Sequence, residues 1–189
     1  MTFLTLFILK DGNAFAALPG DKIKPFFSVR EVNDSNIFRV KDKEQLKSII
    51  GDGQLYDSLT ILTAGLDLNY PIRRQEVDVF LRKDFLRYSH YSNQDSDQND
   101  IKGNILLNFL DRISVKITGG STKSLESREN YRTRQKNERT TKVSGLSLGY
   151  TLPSGFSILT ALSQEKVDFS LSELSSREYK RKGYSGILS

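Results

Sequence analysis

The feature that most restricts the fold is a two-residue alternation of apolar and polar side chains. It recurs from Asp57 onward and is broken by connections that are short and long in strict turn. In "DSLTILTAGLDLNY", Leu62, Ala64, Leu66, Leu68 and Tyr70 share one face, while Thr63, Gly65, Asp67 and Asn69 share the other. Successive side chains of a strand point to opposite sides, so this spacing predicts a strand with one apolar and one polar face. Ile105, Leu107 and Phe109 repeat the pattern against Asn104, Leu106 and Asn108, as do Ile113, Val115 and Ile117 against Ser114, Lys116 and Thr118. Leu146, Leu148, Tyr150 and Leu152 lead through Pro153-Ser154-Gly155 into Phe156, Ile158, Thr160 and Leu162. Val77, Val79 and Leu81 begin another such face, but Lys83 then lands on it. Either a bulge near residues 82–84 or an exit from the apolar zone is expected there.

The connections "YPIRRQ", "FLDRI" and "LPSGF" are tight, whereas "HYSNQDSDQND", "STKSLESRENYRTRQKNERT" and "SQEKVDFSLSELSSRE" are long and polar. A soluble sandwich has no reason to sort short turns to one end and long loops to the other. A transmembrane β-barrel does, with short periplasmic turns, long outside loops, apolar side chains outward and polar ones inward. The predicted fold is therefore all-β: an antiparallel transmembrane β-barrel of the bacterial outer membrane. About eight strands are expected, near 22–32, 57–70, 75–91, 101–110, 113–121, 141–152, 156–168 and 177–189. One insertion interrupts the β pattern. Leu46, Ile49 and Ile50 stand at helical spacing and are stopped by Gly51 and Gly53, which predicts a short helix or loop within 40–54. The last strand carries no terminal aromatic, so the chain is expected to be a partial barrel, truncated at its C-terminus.

Composition narrows the classes further. No apolar run approaches the roughly 20 residues of a membrane-spanning helix, and the absence of cysteine removes disulfides and thiolate metal sites. Residues 1–17 hold a short apolar run from Phe3 to Leu9 and the A-x-A pattern Ala14-Phe15-Ala16, which together predict the remnant of a signal peptide ahead of a β-barrel domain over 18–189. Lys116 to Lys142 holds eight basic residues against three acidic ones (Glu126, Glu129, Glu138). The whole formal charge of +5 therefore sits in one segment.

"FFSVREVNDSNIFRV", followed at a gap by "SLTILTAGLDLNYPIRRQEVDVFL", resembles the outer-membrane β-barrel proteins encoded in exosortase-associated exopolysaccharide biosynthesis operons of Gram-negative bacteria. The resemblance rests on Asp34-Ser35-Asn36-Ile37-Phe38-Arg39, on the basic pair Arg73-Arg74, on Arg87-Tyr88-Ser89-His90-Tyr91, and on Gly149-Tyr150-Thr151 with Pro153-Ser154-Gly155. It spans 26–189. It implies a non-enzymatic role in passing or docking a secreted polysaccharide at the outer membrane, alongside other export-machinery proteins, and brings no catalytic residues. The chain would correspond to the N-terminal half of such a protein.

Candidate sites follow from charge and aromatic placement. Arg128, Tyr131, Arg132, Arg134, Lys136 and Arg139 form an extended basic loop that could contact a polyanion, a polysaccharide or anionic outer-membrane lipid; a merely solvated loop is the simpler alternative. Nucleic acid is not an expected partner, because Tyr131 stands alone among the basic residues and offers no stacking platform. Tyr70, Tyr88, Tyr91 and Tyr150, near strand ends, are expected as interfacial aromatics. His90 follows Ser89, but adjacent strand residues point to opposite faces and cannot pair as nucleophile and base. Asp95, Asp97 and Asp100 lack the glycine and distal glutamate of a calcium loop. No catalytic residue, metal or cofactor is expected. The competing class is a soluble exported β-sandwich or lipocalin-like binding protein, which would turn its apolar set inward.

Overall fold

A computed structural model of the protein describes residues 7–8, 13–15, 22–109, 111–126, 136–171 and 177–188. It forms one antiparallel sheet in which every strand pairs only with its neighbours in the chain. The strands are β1 (Phe7–Ile8), β2 (Asn13–Phe15), β3 (Ile23–Asp34), β4 (Asp57–Ile72), β5 (Gln75–Tyr88), β6 (Ser96–Phe109), β7 (Ile113–Leu125), β8 (Glu138–Thr151), β9 (Ser157–Phe169) and β10 (Tyr179–Leu188). The eight from β3 to β10 are the eight read from alternation. β3, β4, β6, β7 and β8 run longer than expected, up to 16 residues in β4, whereas β5 and β10 are shorter, at 14 and 10 residues. Of the segment read as a signal-peptide remnant, β1 and β2 continue the ladder beside β3, and the remainder lies outside the described residues. Among the described residues, β1 and β10 do not pair with each other.

Short turns gather at one end. β4 passes to β5 through Arg73-Arg74, β6 to β7 across Asp111-Arg112, and β8 to β9 around Pro153-Ser154-Gly155, with Arg73, Asp111 and Gly155 at φ 57, 59 and 91. Gly155 takes its left-handed conformation without the clash a Cβ would cause. Its N–H reaches the Leu152 carbonyl at 2.9 Å. The turns are also joined sideways: Arg74 pairs with Asp111, and Gln75 exchanges two hydrogen bonds with the Asn108 backbone at 2.7 and 3.0 Å.

The insertion becomes α1 (Lys43–Ile50). Asp42 caps it by accepting from the Gln45 N–H at 2.8 Å, and Gly51 at φ 78 ends it. With no Cβ, Gly51 reaches this conformation at no steric cost, which is why the glycine marked the stop.

Register fixes which side chains share a face. Across six ladders, Tyr70, Val77, Ile105, Ile117, Leu146, Leu162 and Tyr184 lie side by side. Towards the turns a second row, Phe109, Ile113, Tyr150, Ile158 and Leu188, continues the same face. No bulge occurs in β5, whose pairing with β4 and β6 runs unbroken through Arg82, Lys83 and Asp84. Lys83 therefore marks the exit from the apolar zone, and it bonds to Asp97 at 3.5 Å.

The apolar zone crosses the sheet on a diagonal. Following paired residues from Leu66, mid-zone on β4, leads through Leu81, Ile101, Ser121 and Lys142 to Lys166 on β9. The middle of the zone on β9 is Thr160, six residues away (166 less 160) over five steps between strands. At about 3.4 Å per residue and 4.8 Å per strand, the strands lean roughly 40° from the normal of the zone.

Candidate functional site

The two faces of the sheet differ in an unusual direction. On the apolar face Leu148 is 49% exposed and Ile117 44%, while on the opposite face Thr63 is 8% exposed, Asp84 6% and Val167 1%. Side chains splay on the convex side of a curved sheet and crowd on the concave side, so the polar face is the concave one. Val143, Leu159, Tyr179 and Ile187 are exposed apolar exceptions on it. Little conventional core remains: of the seven buried hydrophobic residues among those described, five belong to a cluster outside the sheet.

The crowded face carries a charge ladder over β4 to β7. Asp84 accepts from Thr63 Oγ1 at 2.6 Å and from Arg82 Nε and Nη2 at 2.9 and 2.6 Å. One step along, Asp100 accepts from Thr122 Oγ1 at 2.9 Å and Lys102 Nζ at 2.8 Å. Gly65, Arg82, Asp100 and Thr122 occupy one row of paired positions, so the ladder runs across the strands. Each carboxylate is compensated by a cation and a hydroxyl, which lets the enclosed carboxylates hold their charge without the cost of an unpaired ion. Beside it the Phe26 ring stacks on Phe80 at 5.8 Å and covers Gly65.

At the long-loop end, residues 35–56 fold into a cap. The hexapeptide from Asp34 to Arg39 forms its base. Asp34 takes a two-pronged bond from Arg39 at 2.7 and 2.8 Å, and Asn36 bonds the Val40 carbonyl and N–H at 2.6 and 3.1 Å. That turn drives Ile37 and Phe38 into a cluster with Val40, Leu46 and Tyr91. Asp57 joins the two loops, its carboxylate accepting from the N–H groups of Ser58, His90 and Tyr91 at 2.7, 3.0 and 2.9 Å. His90 Nε2 meets Asp52 at 2.6 Å, and that hydrogen bond holds the Asp52 carboxyl below the usual carboxylate range. Burial, followed by the charge of Asp52, pushes the Tyr91 phenol up to about 12. Tyr88 packs against the cluster from the polar face of β5, so the cap leans to the concave side.

The predicted sites divide. Tyr70 and Tyr150 stand exposed on the apolar face at the turn end, with Lys22 Nζ 4.2 Å over the Tyr70 ring. Tyr91 is a correction: it is buried in the cap, edge-on to Phe38 at 4.9 Å. Tyr88 is another, since it lies on the face opposite Tyr70; both are cap-packing residues because the chain turns inward after β5. Of the basic loop, Arg128, Tyr131, Arg132 and Arg134 lie outside the described residues. Lys136 donates to the Asp95 carbonyl at 2.7 Å and sits 3.7 Å from Glu138, while Arg139 is the second residue of β8, half-buried. Asp95 accepts the Tyr88 N–H at 2.8 Å, and Asp97 takes Arg87 at 2.9 Å. With Asp100 in the ladder, all three acidic residues are already engaged by donors. Sequence reasoning missed the ladder and the depth of the cap, because both depend on which strands pair. The local signs of the cap were the helical spacing of Leu46, Ile49 and Ile50 and the Asp-x-x-x-x-Arg spacing of 34 and 39.

Among the described residues, no helix is long and apolar enough to cross a membrane, which says nothing of strands. Comparison of the chain with protein-family models, curated proteins and solved structures gives no match.

Proposed function

We propose that the protein is an outer-membrane β-barrel component of exopolysaccharide biosynthesis and export, a non-enzymatic element that passes or docks a secreted polysaccharide. The observation that carries the membrane reading is the inverted exposure of the sheet: the apolar face is the open one and the polar face the crowded one. In water such a face would lose the roughly 1.5–3 kcal/mol that burying each large apolar side chain is worth. Against lipid chains it loses nothing. The lean of roughly 40° agrees with the 35–45° that closing strands into a barrel demands. From β3 to β10 the short turns lie at one end and the long loops at the other, as barrels of this kind arrange them.

The polysaccharide part rests on the resemblance carried by residues 34–39, 73–74, 87–91 and 149–155. It is supported by the chemistry of the concave face, where compensated charges, hydroxyls and amides suit a hydrated polymer. Fractionation of natively expressed protein, with heat-dependent gel mobility on the same sample, tests the membrane part. Sedimentation with the outer membrane and a mobility shift on heating are expected. Recovery as a soluble periplasmic protein would refute it in favour of a lipocalin-like binder. Loss of exported polysaccharide on deletion of the gene, restored by the intact chain, tests the second part.

A further inference from the structure

On the apolar face, just beyond the apolar zone towards the long loops, three lysines lie shoulder to shoulder. Lys142 on β8 pairs in register with Lys166 on β9, and Lys166 with Lys180 on β10. Each stands four residues past the last apolar side chain that its strand places on this face, Leu146, Leu162 and Tyr184 respectively. Like charges directly opposite each other on adjacent strands destabilise a sheet. Of the three, only Lys166 has an ion-pair partner among the described residues, Asp168 at 2.7 Å, with Glu178 further off. Lys182 adds a fourth cation two residues nearer the zone, beside Gln164.

We infer that this lysine rank binds the phosphate of anionic lipids whose acyl chains lie along the adjoining apolar face; the inference rests on the lipid-facing reading of that face. Four residues along a strand leaning roughly 40° raise each Cα roughly 10 Å above the apolar edge. The headgroup layer is about 5–8 Å thick on each side of the hydrocarbon, and a lysine stem reaches several ångströms back towards it while its ammonium stays in the polar layer. The three ammonium groups therefore meet the lipid phosphates. Neighbouring strands are about 4.8 Å apart, so the rank spans roughly 10 Å, the width of one or two phosphates. An anion between the lysines removes the repulsion that the sheet otherwise bears, which commits the occupant to phosphate-bearing lipid on grounds of both charge and continuity with the apolar face.

The full chain is reconstituted into phosphatidylcholine vesicles with a trace of either phosphatidic acid or phosphatidylcholine, spin-labelled near the end of one acyl chain. The motionally restricted fraction of each label is then measured. The native chain is expected to prefer phosphatidic acid by about threefold or more, the triple variant Lys142→Gln, Lys166→Gln, Lys180→Gln to lose that preference, and the triple arginine variant to keep it. Should the triple glutamine variant fail to fold, Lys142→Gln alone is expected to lower the ratio part-way. An undiminished ratio in the glutamine variants overturns the site. Erasure of the native preference by millimolar inorganic phosphate, or by a soluble uronic-acid polymer, overturns the lipid as occupant in favour of a free anion or a polysaccharide. A native chain that restricts neither label refutes the lipid-facing reading itself, and the site with it.

Discussion

Replacing Leu148 with arginine separates a lipid-facing sheet from a soluble one by the sign and size of a single free energy. Leu148 is 49% exposed, lies mid-zone between Leu146 and Tyr150, and is paired with Val115 and Thr160. If its surroundings are lipid, a guanidinium there costs about 2–4 kcal/mol, the penalty for a cation near the middle of the bilayer on a barrel's outer face. If its surroundings are water, the same change exchanges one exposed side chain for another and stays within about 0.5 kcal/mol. Ser163→Arg is the matched control. Ser163 is exposed on the concave face between Gly145 and Gly183, whose missing side chains leave room for the new one, so a cost below about 1 kcal/mol is expected. The assay is urea unfolding from vesicles, followed by far-ultraviolet circular dichroism because the chain has no tryptophan. With a slope of about 1–3 kcal/mol per molar urea, the Leu148 variant should lose on the order of 1 M or more from its midpoint while the control barely moves. Equal small shifts in the two variants would refute the lipid-facing reasoning.

Gly65→Ala should destabilise by about 1–3 kcal/mol, because the new Cβ would sit 2.5 Å from the Leu81 carbonyl oxygen, which belongs to the ladder, and against the Phe26 ring; the same urea titration measures it. Asp57→Ala should leave three backbone N–H groups without their acceptor and cost about 1–3 kcal/mol, read as faster proteolysis within 35–56 than in the native chain. In alkali, Tyr91 should ionise near pH 12, later than an ordinary tyrosine, seen as the difference at 295 nm between the native chain and Tyr91→Phe. Because its folded value lies above the unfolded one near 10, the stability this group contributes is present below about pH 10 and is lost between about 10 and 12. A phenolate signal assigned to Tyr91 near pH 10 would contradict its burial in the cap.

The strands and turns were legible in the sequence because they are local. Leu146-x-Leu148-x-Tyr150 states its own period, and Pro153-Ser154-Gly155 its own turn. Leu46, Ile49 and Ile50 gave the helix and Gly51 its end. Lys83 gave the limit of the apolar zone but not its cause, since a bulge and an exit look alike until the pairing partners are known. Tyr91 misled, because its place near a strand end resembles that of an interfacial aromatic, and its burial depends on Phe38, more than 50 positions away. The lysine rank was invisible for the same reason: positions 142, 166 and 180 become neighbours only through register. What one strand dictates could be read from the chain, and what two strands create could not.

The meander makes the sheet modular in its construction. Among the described residues, the backbone of each strand pairs only with the strands before and after it, and the more distant contacts, such as Tyr91 on Phe38 and Arg74 with Asp111, are made by side chains of neighbouring loops and turns. Closing each hairpin costs little entropy compared with a fold whose partners are scattered, and assembly can advance one hairpin at a time, each rung templating the next. A hairpin gained or lost would widen or narrow the sheet by two strands while leaving every other register in place. The width of this sheet is therefore a quantity that duplication of short gene segments can adjust without redesigning the rest.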